Sequence, residues 1–250
     1  MLTLYHYWSS VCSQKARMCL AEKHLDWQSR HVDLFRFENY QPWYTKLNPK
    51  AVVPTLDHSG RILIESNVIL EYLEDNFPQV RLRPDDLHDR AQMRLWMYNS
   101  EELGHANVNT CSHNLRHAKR LQHGGVSKDD LLRAADRCPN PMIGRRLRRR
   151  MEIGVSPEEE DEAYANLDYM LDQMETRLAA SPWLAGTMFS LADIAMAPML
   201  NRIEVLARPE MISAERRPKV ADWWQRIQAR PAFKQAFAFK NPDASDPLKR

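Results

Sequence analysis

The chain has 250 residues, 44% of them apolar and 27% charged, values of an ordinary globular protein that exclude collagen-like, low-complexity and disordered classes. Seven glycines are too few for a sandwich or barrel with a turn every ten residues, so helices should dominate. Thirty-five Lys and Arg against 33 Asp and Glu leave a formal charge of +2, which points to no polyanionic partner, and nucleic acid is not expected.

At the N-terminus Leu2, Leu4, Tyr5, Tyr7 and Trp8 form a β-prone run closed by Ser9 and Ser10. Cys12, Ala16, Cys19 and Leu20 then share one face of a helix that should end near His24. A second strand is expected around Trp27 to Val32. An irregular aromatic stretch from Phe37 to Leu47 is broken by Asn48-Pro49 before the segment Val52-Val53-Pro54-Thr55-Leu56. TLDHSGRILI reads as a hairpin turning at Ser59-Gly60. Ser66 reads as the N-cap of a helix that buries Val68, Ile69, Tyr72 and Leu73 and runs to Asn76.

Residues 1–78 thus read β-α-β-α-β-β-α, residues 79–89 form a polar, proline-bearing linker, and 90–240 show helical periodicity throughout. Met93, Trp96 and Met97 share a face there, as do Leu167, Met170, Leu171, Met174 and Leu178, and again Val220, Trp223, Trp224 and Ile227. Ser190 and Asp193 are spaced as a capping box, with Phe189 and Ile194 as its hydrophobic staple.

Four cysteines, Cys12, Cys19, Cys111 and Cys138, without a CxxC pair point to free thiols and a reducing compartment. No basic leader and no membrane-length apolar run is evident, so a cytoplasmic protein with no membrane partner is expected. Cys111, His113 and His117 include an i, i+4 histidine pair, but a fourth ligand is not evident and no metal is expected. The arginine-rich run 145–150 is followed by the acidic run 158–162, which can neutralise it. The arginines read either as the entrance for an anionic substrate or as ion pairs across that region.

The order of elements, the VVPTL segment, Glu65-Ser66 and the SLAD box at 190–193 together resemble the cytosolic glutathione transferase superfamily over almost the whole chain. The resemblance implies an α/β plus all-α architecture, the glutathione transferase fold. A thioredoxin-like N-terminal domain would bind glutathione as co-substrate. A helical-bundle C-terminal domain would bind the electrophile, and the protein would be a homodimer. YHYWSSVCSQKARMCLAEKHLDW and LNPKAVVPTL are similar to reductive dehalogenases of chlorinated hydroquinones. A long insertion at about 113–157 is instead similar to glutathione-dependent β-etherases, and the two resemblances disagree on substrate.

Like a free cysteine, glutathione ionises near pH ~8.5, and only its thiolate attacks well. Lowering that value by about two units takes about 2.7 kcal/mol. A hydroxyl donor to sulfur beside a helix N-terminus is adequate in magnitude. The resemblance puts the catalytic serine at Ser10, counted back from Arg17, while Ser9 and Ser13 match the serines of other branches. Cys12 matches the nucleophilic cysteine of the dehalogenases. The plainer reading is that the serines cap the helix and Cys12 is a small buried hydrophobe.

Val53-Pro54 is implied to be a cis bond that pairs with the cysteinyl backbone of glutathione, a trans edge proline being the alternative. Ser66 is implied to hold the γ-glutamyl carboxylate at a helix N-terminus, Glu65 the ammonium, and Asn39 the glycine end. Glu101 and Glu102 either reach the γ-glutamyl ammonium in a neighbouring subunit or form a solvated face. The expected activity is attack of the glutathione thiolate on a hydrophobic, aromatic electrophile. The alternatives are Cys12-dependent thiol-disulfide chemistry, including reductive dehalogenation or deglutathionylation, and a non-catalytic ligand-binding protein.

Overall fold

The structure is a computed structural model that describes residues 1–115, 127–206 and 208–240. Its first part holds β1 (Leu2–His6), α1 (Val11–Glu22), β2 (Trp27–His31), a 3-10 turn (Glu38–Tyr40) and α2 (Pro42–Thr45). β3 (Thr55–His58), β4 (Arg61–Ile64) and α3 (Ser66–Asn76) follow. The strands form one sheet in the order β2-β1-β3-β4. β2 runs parallel to β1, as a connection through a helix requires, while β3 and β4 are antiparallel neighbours. Leu4 of β1 lies opposite Leu56 of β3, and both are fully buried beneath α1 and α3 with Ala16, Leu20, Ile69 and Leu73. This is the α/β, thioredoxin-like arrangement that the resemblance implied.

Two details differ from the sequence reading. Ser66 is the first residue of α3 and not its N-cap; the cap position belongs to Glu65, whose φ of 70° is left-handed and whose side chain makes no capping bond. Val68 is exposed, because Ile69, Leu70 and Leu73 already fill the face of α3 turned to the sheet.

The second part is helical: α4 (Leu87–Asn99), a π-helical turn (Ser100–His105), α5 (Ala106–Cys111), α6 (Lys128–Asp136) and α7 (Pro141–Ile153). α8 (Pro157–Ala180), α9 (Leu191–Val205), α10 (Pro218–Ala229) and α11 (Pro231–Phe237) complete it. α4 starts inside the segment read as linker, capped by Asp86. The apolar stripes read from the sequence are the buried faces of α4, α8 and α10. α9 is buried on nearly every side, as a helix apolar all round must be, and the Ser190–Asp193 capping box is formed at its start. Among the described residues no helix is long and apolar enough to cross a membrane. Cys111 is buried, His113 Nε2 lies 3.3 Å from the Arg150 carbonyl, and His117 lies outside the described residues.

The two parts are joined through α1. Buried Arg17 donates to the carbonyls of Tyr7 (3.2 Å), Trp8 (2.8 Å) and Ala236 (2.8 Å), tying the β1-α1 corner to α11. Arg17 also donates to His6 Nδ1 at 3.1 Å, and a guanidinium has no acceptor, so the imidazole proton sits on Nε2 and is donated to Ser29 Oγ at 2.8 Å. Burial, with Arg17 and His31 nearby, pushes His6 down to about 3. Unfolded histidine takes a proton near 6.5, so stability is full above that value and is lost as pH falls toward 3. Between pH 7 and 5 the loss from His6 should be about 2 kcal/mol. Urea midpoints of the native chain and of His6→Gln at both pH values check this: the variant should show the smaller change, and equal changes would count against it.

Candidate active site

A cavity of about 600 Å³ opens between the β1-α1 corner and the helices of the second part. On one side it is lined by Ser9, Ser10 and Cys12, by Asn39, by Val52, Val53 and Pro54, and by Glu65 and Ser66. On the other stand Glu101, His105 and Val108, then Ile143, Arg146, Leu147, Arg150 and Met151 of α7, with Arg202 of α9.

Ser10 is the N-cap of α1, and its Oγ accepts from the Ser13 N–H at 3.2 Å. That bond uses a lone pair and leaves the hydroxyl proton to donate to a ligand at the positive end of the helix dipole. Capping and thiol activation are therefore compatible. Ser13 is a different case: it is fully buried, its Oγ accepts from the Tyr7 N–H at 3.3 Å, and it does not line the cavity. Ser13 braces the corner, and the structure does not bring it to the cavity. Ser9 contributes its carbonyl to Arg202, which donates at 2.5 Å.

The Val53-Pro54 peptide bond is cis, and both residues line the cavity. Asn39 donates to the Ala51 carbonyl at 2.7 Å, while its Oδ1 is buried without a hydrogen-bond partner. An orphaned acceptor at a cavity wall is suited to a ligand N–H. Glu65 is half exposed and pairs with Lys50 at 2.6 Å. Ser66 Oγ donates to Glu101 Oε1 at 3.3 Å.

The Glu101 side chain is 40% exposed, and both of its carboxylate oxygens are engaged within the chain. Fully buried Lys15 donates to it at 2.6 Å and also reaches Ser100 Oγ (2.8 Å) and Asn67 Oδ1 (3.4 Å). His105 Nδ1 lies 3.2 Å from the second carboxylate oxygen. Burial alone would raise the Glu101 carboxyl, but the His105 bond and the Lys15 charge outweigh it and hold the group well below the usual carboxylate range. Glu102 is exposed.

Cys12 is half-buried at the open end of its helical stripe, and Ala16, Cys19 and Leu20 form the closed end. Its sulfur lies within 4.8 Å of ligand atoms on both Glu101 and His105. The charge of a Cys12 thiolate, against burial, and bonds to Cys12 and Glu101 push His105 up to about 10.

The arginine run divides its work. Arg146 and Arg150 line the cavity, while Arg148 pairs with Asp136 and Glu152 and Arg149 with Glu159. Sequence reading missed Lys15, His105 and Arg202. Glu101 and His105 stand at i, i+4, a spacing that could have been read as a pair; Lys15 and Arg202 carry no local signal.

Comparison with known proteins fits this geometry. Residues 9–76 match the family model of the glutathione S-transferase N-terminal domain and residues 157–226 that of the C-terminal domain. The chain belongs to the glutathione S-transferase family. Protein LigF of Sphingobium sp. (strain NBRC 103272 / SYK-6) is 32% identical over 257 residues, covering 100% of this chain and 97% of LigF. Tetrachloro-p-hydroquinone reductive dehalogenase of Sphingobium chlorophenolicum is 30% identical, with 96% and 97% covered. The crystal structure of the β-etherase LigF superposes with a TM-score of 0.85 at 31% identity, covering 95% of this chain and 98% of that one. The glutathione transferase fold is thus established, and the chain is a glutathione transferase with glutathione as its co-substrate.

Proposed function

We propose that this glutathione transferase activates the glutathione thiol with Ser10 for attack on an apolar, aromatic electrophile that carries an acidic group. The single observation that carries this reading is the cavity itself. It joins a free serine hydroxyl at a helix N-terminus to a second wall of Val108, Ile143, Leu147 and Met151 with Arg146 and Arg150 among them. Ser66 and Glu65 are the groups for the γ-glutamyl end, Val53 and Pro54 for the cysteinyl backbone, and Asn39 for the glycine end. The apolar side chains accept a ring, and the guanidiniums offer planar donors to a carboxylate or phenolate.

The test is a glutathione difference titration at 240 nm from pH 5 to 9, with turnover of aryl ethers and aryl halides. Bound thiolate well below the range of free glutathione supports the reading when Ser10→Ala abolishes it. Saturable binding without turnover of any electrophile would instead describe a ligand-binding protein and overturn it. Arg146→Ala should raise KM for a carboxylated aryl electrophile about tenfold, equivalent to about 1.4 kcal/mol, and leave that of its neutral methyl ester nearly unchanged. Equal effects on both would remove the acidic group from the proposal.

A homodimer in the cytoplasm is part of the same reading. Val68 of α3 and Leu95 and Tyr98 of α4 are exposed apolar side chains on adjacent helices, suited to cover by a second copy. All four cysteines are free thiols, as a reducing compartment would keep them. Light scattering should give twice the chain mass; the mass of a single chain would exclude the dimer.

A further inference from the structure

Charge in the wall of the cavity does not balance. Its two carboxylates are already paired, Glu65 with Lys50 at 2.6 Å, and Glu101 with buried Lys15 at 2.6 Å and His105 at 3.2 Å. The Cys12 sulfur lies beside Glu101 and His105. Tyr7, Tyr40 and His113 also line the cavity, and neither a phenol nor an imidazole is an anion at neutral pH. The guanidiniums of Arg146 and Arg150 on α7 and of Arg202 on α9 remain, and among the described residues none of them forms an ion pair with a carboxylate.

Arg202 differs from the other inward-turned arginines in its acceptors. Arg17 donates to three carbonyls and to His6, and Arg217 to the Asp172 carboxylate and to the Met211 and Asp168 carbonyls. Arg202, in the last turn of α9, is half-buried and meets one acceptor among the described residues, the Ser9 carbonyl at 2.5 Å. Its other N–H donors are left for a ligand. Burial pushes the guanidinium down, with the Tyr7 phenol acting the other way. A cation taken from water without a counter-ion is a cost to the fold, and at a cavity wall a ligand can supply the missing anion.

The place of that single bond says which anion. Ser9 is the neighbour of Ser10, and consecutive Cα atoms are only about 3.8 Å apart. A guanidinium fixed on the Ser9 carbonyl therefore stands within roughly a Debye length, ~8 Å at physiological salt, of a sulfur held by the Ser10 hydroxyl. Arg150 is turned instead to Thr110 at 2.9 Å, and Arg146 makes no bond to that corner.

We propose that Arg202 is the counter-ion of the bound glutathione thiolate, the Ser10 hydroxyl supplying a hydrogen bond to the sulfur and the guanidinium supplying the charge. This rests on the glutathione site and the role of Ser10 proposed above. The proton of the thiol passes to the buffer when glutathione binds, so no further base is required. Ser9 serves the site through its carbonyl, which holds Arg202 in place, and not through its hydroxyl.

The experiment is the 240 nm titration of bound glutathione in Arg202→Gln and Arg202→Lys. Glutamine keeps an N–H donor for the Ser9 carbonyl and loses the charge, so a merely bracing role would survive it. In Arg202→Gln the bound thiol should titrate about one unit higher than in wild type, about a tenfold change in its acid dissociation constant. Its kcat/KM should fall about tenfold near pH 6 and approach wild type near pH 9, where glutathione ionises unaided. Arg202→Lys keeps the charge and should stay within about 0.3 unit of wild type. A Gln variant that titrates with wild type, or a Lys variant displaced as far as the Gln variant, would each overturn the proposal. The unaltered chain gives a test that does not depend on how a variant folds. At pH 8, glutathione should protect Arg202 from phenylglyoxal, read by peptide mass, several-fold better than S-methylglutathione, which fills the same site without a thiolate; equal protection would overturn the proposal. A lowered wild-type thiol that responds to Ser10→Ala and not to Arg202→Gln would remove Arg202 and leave the transferase reading standing, whereas no bound thiolate in wild type would overturn both.

Discussion

Replacing Asp193 by alanine should destabilise the chain by about 3 to 5 kcal/mol, the largest single effect on stability expected outside a large core side chain. The carboxylate is fully buried and accepts four bonds: the Ser190 N–H (2.9 Å), the Ser190 hydroxyl (3.2 Å), the Leu184 N–H (3.1 Å) and the Trp223 indole N–H (2.8 Å). Burial raises the Asp193 carboxyl above its ordinary value despite those bonds, so the buried charge by itself is a cost. Its benefit lies in the donors it satisfies. Each buried donor left unpaired costs about 1–3 kcal/mol, and loss of the box at the start of α9 adds about 1 more. Because α9 is buried almost all round and packs on α1 and α4, fraying at its first turn reaches both halves of the molecule. Urea denaturation of Asp193→Ala is the measurement, and a change under 1 kcal/mol would contradict the account. Asp193→Asn should fall between the two, because one of its oxygens becomes a donor facing donors.

The second large effect is on catalysis. Ser10→Ala should lower kcat/KM about a hundredfold near pH 6.5, the scale on which a single preorganised donor to a reacting anion acts. The residue does two jobs, however, since its Oγ also caps α1 through the Ser13 N–H. Glycine separates them. Gly at an N-cap costs only a few tenths of a kcal/mol relative to Ser, whereas Ala costs about 1. Ser10→Gly should therefore keep nearly native stability yet lose as much activity as Ser10→Ala. Both variants should approach wild type above about pH 9, where free glutathione ionises unaided. A Gly variant of native activity would mean that the helix cap, not the hydroxyl proton, is what the reaction needs.

How far these residues could be seen in advance depends on the range of the interaction that places them. The capping box is complete within four residues, so Ser190 and Asp193 were legible from spacing. Amphipathic stripes such as Leu167, Met170, Leu171, Met174 and Leu178 were legible for the same reason, because helical period alone puts them on one face. Ser66 shows where local reasoning slips by one position. Serine is a favoured cap, but the chain enters α3 through a left-handed Glu65, and no preference scale for Ser registers the conformation of its neighbour.

Ser9, Ser10 and Ser13 were three candidate hydroxyls within five residues, with Ser10 the one the resemblance implied, and the fold gives each different surroundings. Tyr7 N–H takes Ser13 inward, Arg202 fastens the Ser9 carbonyl from 193 residues away, and of the two serines that line the cavity Ser10 stands at the helix N-terminus with its proton free to donate. The Lys15–Glu101 bond likewise joins residues 86 apart and positions His105 beside Cys12. By itself, then, the amino-acid sequence determined the two-part architecture, most of the helix faces, the Ser190–Asp193 capping box and the family. Each of those depends on neighbours within a turn or two, or on a pattern spread over the whole chain. Only the tertiary structure decided which hydroxyl and which thiol face the cavity, and what stands opposite them, because those contacts are made between side chains that chain packing alone brings together.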